Sequence, residues 1–212
     1  MTWERARSDE QIEYRIQEIV DATARLYKTH RFEEITFAMI GKDANFTRSN
    51  LYRYFKNKEE IFLALISHDI GRWRDDILAN FGEEKLPVAE FTARWVTLLF
   101  HHKRMIGLFT ILYTLLEPNA SLESLTAFKQ KMAVDLGAIT EVLMQSLPFP
   151  SAEAAAEFLF AHSSLAIGMY PMLNLTAKQK EAMAAVDMVS EPDYFQAILT
   201  HSIESLLRGL TS

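Results

Sequence analysis

Cysteine is absent from all 212 residues. Its absence excludes a disulfide framework, a Cys-ligated zinc site and a thiol nucleophile, and it fits a reducing compartment. Glycine and proline are scarce, 7 and 6, which excludes a turn-rich all-β fold and a disordered chain. Long hydrophobic runs are missing as well. The stretch Met105 to Leu116, between Lys103-Arg104 and Glu117, is well short of the roughly 20 residues a bilayer demands. The opening MTWERARSDE is too charged for the apolar core of a secretory signal. Catalytic signatures are missing too: there is no Gly-rich phosphate loop, no H-E-x-x-H and no G-x-S-x-G. Adjacent His101 and His102 would point about 100° apart on a helix, so they do not make a metal pair. These absences predict a cytoplasmic chain that is not an enzyme, holds no metal or cofactor and contacts no membrane.

What is present is an ordinary globular composition, 49% apolar and 24% charged, in a chain long enough for one large domain or two small ones. The net charge of -6 argues against nucleic acid until its distribution is read. Residues 1–60 hold 11 basic and 11 acidic side chains, so the whole deficit lies beyond residue 60. Within 42–58, Lys42, Arg48, Arg53, Lys56 and Lys58 face the single acid Asp43. A local basic patch, rather than total charge, is what meets phosphate. The other reading of such a patch is a solvated helix face.

Apolar spacing of three and four predicts helix nearly throughout. Ile12, Ile16, Ile19, Val20, Thr23, Leu26 and Tyr27 make one stripe over 9–29, opened by a Ser8–Gln11 capping box. Thr36 caps a short helix over 37–43, and Thr47 a second over 48–54. Between them Ala44-Asn45-Phe46 reads as a tight turn, with Asn45 suited to a left-handed backbone. Asn57 and Glu60 form a further capping box and open a long helix that ends near Phe81-Gly82. Helices follow near 87–100, 103–116, 121–146, 151–169, 176–186 and 193–209. The expected fold is all-α, with a small unit over residues 1–57 and a larger one over 58–212.

The two short helices joined by a three-residue turn form a helix-turn-helix. Phe37 and Ile40 face the second helix, and Leu51 and Phe55 give that helix its buried side. Gly41 inside a helix costs about 1 kcal/mol against Ala, so a close crossing is expected there. Left over on the second helix are Arg48, Ser49, Asn50, Tyr52 and Arg53. Arg suits guanine O6/N7 and Asn suits adenine, and the first turn of such a helix meets base edges. Thr36, Thr47, Tyr52, Tyr54 and Lys58 suit phosphate oxygens. Free amides after Asn57 would add an anion site.

The stretch ITFAMIGKDANFTRSNLYRYFKNKEEIFLAL resembles the DNA-binding domain of the TetR family of bacterial transcription regulators, over roughly residues 9–66. The resemblance implies a three-helix DNA-binding head followed by a larger helical body that binds ligand and dimerises. It implies phosphate contacts from Thr36, Thr47, Tyr54 and Lys58, and recognition positions at Arg48, Ser49, Asn50 and Tyr52. Two positions depart from the family: Asn45 stands where Gly is usual, and Ala38 where a polar residue is common.

The body carries two expectations. The stripe Phe195, Ile198, Leu199, Ser202, Ile203, Leu206 and Leu210, with the Ala-rich helix at 151–169, suits close helix pairing, and the resemblance implies a homodimer through the last two long helices. Aromatic and Met residues from Phe91 to Met172 make candidates for an apolar ligand pocket: Trp95, Phe109, Tyr113, Phe128, Met132 and Met169. Arg94, His101, His102, Thr110, Thr114, Glu117 and His162 are polar groups among them. Each of these residues also reads as plain core. The function expected is a repressor that binds a palindromic double-stranded operator as a homodimer and is released by a small apolar effector. The alternative is a helical interaction protein whose head does not read DNA.

Overall fold

The computed structural model describes residues 2–82, 84–188 and 194–211, with side chains from residue 10 onward. Among these the chain is helical, with no strand. Helix α1 spans Thr2–Leu26, α2 Phe37–Asp43, α3 Arg48–Leu51 and α4 Lys58–Asn80. Then come α5 Val88–His101, α6 Lys103–Ile111, α7 Leu122–Ser146, α8 Ala152–Leu173, α9 Ala177–Ala184 and α10 Tyr194–Leu210.

The larger departures from the sequence expectation fall in four helices. Helix α1 does not begin at Ser8 but runs back to Thr2, because Glu, Arg and Ala upstream are good helix formers and Ser is tolerated within a helix. Helix α3 ends at Leu51 rather than 54. The amides of Arg53 and Tyr54 bond the carbonyls of Asn50 and Leu51, three residues back, which is the tightening common at helix ends. The helix expected over 103–116 stops at Ile111 and passes into a π-helix over 112–116 and a 3₁₀ turn over 117–119. Helix α8 continues past Tyr170 to Leu173, with Pro171 in its last turn; its missing N–H forfeits the bond to the carbonyl four residues back, and the helix ends two residues on.

The chain divides into two compact units, residues 1–68 with 111–131, and 69–110 with 132–212. In the first, α1 buries Ile19, Val20 and Ala22, and Thr23 bonds back to the Ile19 carbonyl at 2.9 Å. Phe62 of α4 receives the edges of Tyr27 and Phe32, and Ile35, Ile40, Leu51, Ile61 and Leu65 are fully buried. Full burial of such a side chain contributes about 1.5–3 kcal/mol. Segment 117–124 joins this unit by polar bonds. Glu60, 4% exposed, accepts from the Ser121 hydroxyl at 2.6 Å, the Ser121 amide at 3.2 Å and the Lys56 amide at 2.7 Å. Burial pushes its carboxyl up, but these donors outweigh burial and hold it below the usual range. No sequence pattern links Glu60 to Ser121.

In the second unit, α10 packs on α8 and α5, burying Leu199, Ile203 and Leu207. The stripe expected on α10 is therefore spent partly within the subunit. Ile198 stays exposed at 37%. An aromatic cluster fills the centre of this unit: Trp73, Phe81, Phe91, Trp95, Phe149, Phe158 and His162. Asp69 of α4 takes a bidentate contact from Arg104 at 2.8 and 2.6 Å. Asp135 pairs with Arg74, and His102 with Asp76 at 2.7 Å.

Candidate nucleic-acid interface

The helix-turn-helix is built from three local devices. Thr36, extended at φ -110°, accepts from the Met39 amide at 3.2 Å and starts α2. Thr47 accepts from the Asn50 amide at 3.3 Å and starts α3. Between them Asn45 sits at φ 60°, the left-handed turn that Asn tolerates. Gly41 meets the expected demand for closeness: a Cβ there would lie 3.0 Å from Leu51 Cδ1 and 3.1 Å from the Phe46 carbonyl oxygen. A side chain at 41 would therefore push α3 off α2.

With Ile40, Gly41, Leu51 and Phe55 buried, the other face is left to solvent. Thr36, Thr47, Arg48, Ser49, Asn50, Tyr52 and Arg53 are all exposed, and Tyr54 is half-buried. Arg48 lies over the Tyr52 ring at 5.6 Å, its guanidinium donating to the Tyr52 hydroxyl at 3.1 Å. Tyr52 in turn packs on Phe37 at 4.8 Å, so it ties α2 to the end of α3. The hydroxyls of Thr47 and Ser49 are 3.0 Å apart. Tyr54 meets the Phe46 edge at 6.1 Å.

The charge pattern sharpens on folding. Asp43, the single acid of the basic stretch, is paired by Arg25 of α1 at 2.7 Å, and Lys42, Arg48, Arg53 and Lys56 remain exposed. Lys58 does not join them. Its ammonium donates to the Phe32 and Ile35 carbonyls at 2.8 and 2.9 Å and lies 4.1 Å from the Phe32 ring centre. Of the capping box at the start of α4, the Asn57 half forms, accepting from the Glu60 amide at 3.0 Å. The Glu60 carboxylate reaches the Lys56 amide instead of that of Asn57.

The pocket candidates fall in different units. Tyr113 and Phe128 belong to the first, where Tyr113 is 61% exposed and Lys129 lies 5.0 Å over its ring. Trp95, Phe109, Met132 and Met169 belong to the second. Of the six, Met169 lines a small cavity of about 20 Å³, together with Leu99, Ala166 and Tyr170. Trp95 lies in the aromatic cluster, fully buried. Its indole nitrogen, that of Trp73 and Nε2 of His162 are buried without a hydrogen-bond partner. Burial pushes the His162 imidazole down to about 4, against a weaker upward pull from the Phe158 carbonyl. Trp73 carries no polar signal in the sequence, where it reads only as the apolar face of α4. Among the described residues no cluster of His, Asp or Glu is arranged to hold a metal ion, and no helix is long and apolar enough to cross a membrane.

Two family models match the chain. Residues 19–65 match the model described as bacterial regulatory proteins, tetR family. Residues 67–212 match that described as tetracyclin repressor-like, C-terminal domain. Among solved structures, the chain is similar to the transcriptional regulator FadR from Bacillus subtilis in complex with stearoyl-CoA. That likeness has 18% identity and a TM-score of 0.45, over 92% of this chain and 97% of the other. No curated protein matches the sequence.

Proposed function

The chain belongs to the tetR family of bacterial regulatory proteins, and we propose that it is a cytoplasmic repressor that binds a palindromic operator as a homodimer and is released by a small apolar effector. The observation that carries this reading is the row of Thr47, Arg48, Ser49, Asn50, Tyr52 and Arg53, exposed over the buried Gly41–Leu51 crossing. On this reading Arg48, Ser49 and Asn50 meet base edges, since they occupy the first turn of α3. Thr36, Thr47, Tyr52, Arg53 and Tyr54 meet phosphates. Arg48 leaves the Tyr52 hydroxyl for a guanine edge, exchanging one hydrogen bond for two. Lys58 acts as a positioning residue, bracing the loop before Thr36. The head comprises residues 1–57 and the body 58–212. Effector and operator oppose each other because each binds better to a different state of the dimer.

The test starts from duplexes selected out of a genomic pool by the full-length protein. Binding is then titrated by fluorescence anisotropy at fixed salt. Arg48→Ala is expected to cost about 1–3 kcal/mol and to relax the preference at one base position. Asn50→Ala is expected to do the same at another. Unchanged affinity and preference in both variants would leave a helical interaction module in place of a DNA reader.

A further inference from the structure

We propose that the ring nitrogens of Trp73, Trp95 and His162 form the polar anchor of the effector site, and that the effector is an uncharged, mostly apolar molecule carrying a hydroxyl group. This rests on the ligand-responsive reading above and adds the chemistry of the ligand. The three rings come from α4, α5 and α8 and lie together: Trp73 to Trp95 at 5.6 Å, Trp95 to His162 at 5.3 Å and Trp73 to His162 at 6.3 Å between centres. They are 3%, 0% and 0% exposed. Each nevertheless keeps one ring nitrogen without a partner. Burying a polar group unpaired is costly, and three of them on rings packed against one another is a concentration that folding alone does not require.

Their chemistry is complementary to one functional group. The two indole N–H groups can only donate. His162 Nδ1 lies 2.9 Å from the Phe158 carbonyl, which can only accept, so Nδ1 carries the proton. In the neutral ring that burial favours, Nε2 is then an acceptor. The cluster thus offers two donors and one acceptor. A hydroxyl accepts twice and donates once, which answers all three. A carbonyl would serve the indoles and leave Nε2 facing another acceptor. A carboxylate would be stripped of water against Phe81, Phe91 and Phe158, which pack on Trp95, with neutral donors alone to compensate.

Room for the apolar part lies next to the anchor. Leu99 and Ala166, which line the cavity of about 20 Å³, follow Trp95 and His162 by four residues each, one helical turn along α5 and α8. Met169 and Tyr170 on α8 and Phe195 on α10 complete that side. The cavity holds little more than a water, so the ligand selects a state in which these side chains have turned aside. Met is well suited to such repacking.

The experiment uses the full chain, ¹⁵N-labelled, titrated with phenol and with toluene, which differ by hydroxyl against methyl. The indole signals of Trp73 and Trp95 are assigned through Trp73→Phe and Trp95→Phe. Phenol is expected to move both signals and to bind at least about tenfold more tightly than toluene. His162→Phe, checked for folding by circular dichroism, is expected to bring the two affinities together. Should that variant not fold, Trp73→Phe removes one donor and is expected to shrink the preference likewise. Equal affinity for phenol and toluene in the unmodified protein, or indole signals that neither compound moves, overturns the anchor. Operator binding is measured separately without ligand. Selective phenol binding by a protein that ignores DNA would sink the regulator reading and leave the anchor standing.

Discussion

Two roles, a phosphate contact and a brace, meet in the single side chain of Lys58. By position it follows Asn57 at the start of a helix, in a basic stretch, where a cation suits a phosphate. In the folded chain its ammonium is engaged by two carbonyls and a ring face. A charged donor to a half-buried carbonyl contributes about 1.5–3 kcal/mol. A phosphate contact and a brace leave different signatures. Lys58→Met keeps the stem over the Phe32 ring and removes the charge. As a brace, the lysine's loss is expected to lower the urea midpoint and weaken operator binding while the slope of log affinity against log salt stays unchanged. As a phosphate contact, its loss would reduce that slope by about one with stability unaltered. Anisotropy titrations at several salt concentrations, beside urea unfolding, decide between the two.

At the scale of elements, local signals were legible where the chemistry was local. The threonine caps at 36 and 47, the turn at Asn45 and the need for a small residue at Gly41 all depend on neighbours within ten residues, and the sequence carries each of them. The turn can be tested on its own. Asn45→Gly is expected to leave unfolding stability within about 0.5 kcal/mol, whereas Asn45→Ala is expected to lose roughly 1–2 kcal/mol, the cost of a Cβ in the left-handed region. Chemical denaturation followed by circular dichroism measures both, and equal stability of the two would show that the turn relaxes out of that conformation. Elements set by distant partners were not legible. The π-helix at 112–116 leaves the apolar period of 103–116 intact, so periodicity could not mark it. Glu60 looks like half of a capping box because two of its three donors, the hydroxyl and amide of Ser121, lie 61 positions away. The candidate pocket residues divide between the two units, and density of aromatic side chains along a sequence says nothing of which helix faces which. His162 read as one polar group among several, and its isolation among rings comes from folding alone.

At the scale of the whole molecule, the proposed function needs two heads acting together, since a single helix-turn-helix reads too short a site for specific control. An operator of two half-sites about 34 Å apart calls for a two-fold pair. On α8 the residues Phe160, Ser164, Gly168 and Met172 recur every four positions, one line along the helix, and all are exposed, Phe160 at 77% and Met172 at 52%. A Cβ added at Gly168 would meet no atom within 4 Å, so the subunit itself makes no use of its smallness. Helix α10 also exposes Ile198, His201 and Ser205. An apolar ring, small residues and an unused glycine on one helix face are what a close two-fold helix pairing requires, because each face then meets its own copy. Two variants separate pairing from folding. Phe160→Glu sets like charges across the axis, and its exposure leaves the subunit indifferent to it. Gly168→Leu is expected to raise the thermal midpoint of a lone subunit, since leucine is the better helix former by about 0.8 kcal/mol, and yet to block the approach of a second α8. Sedimentation velocity is expected to show dimer in the unmodified protein and monomer in both variants. Operator affinity is expected to fall about 10²- to 10⁴-fold with the loss of the second linked head. Variants that sediment as dimers with unaltered operator affinity would move the pairing surface off α8.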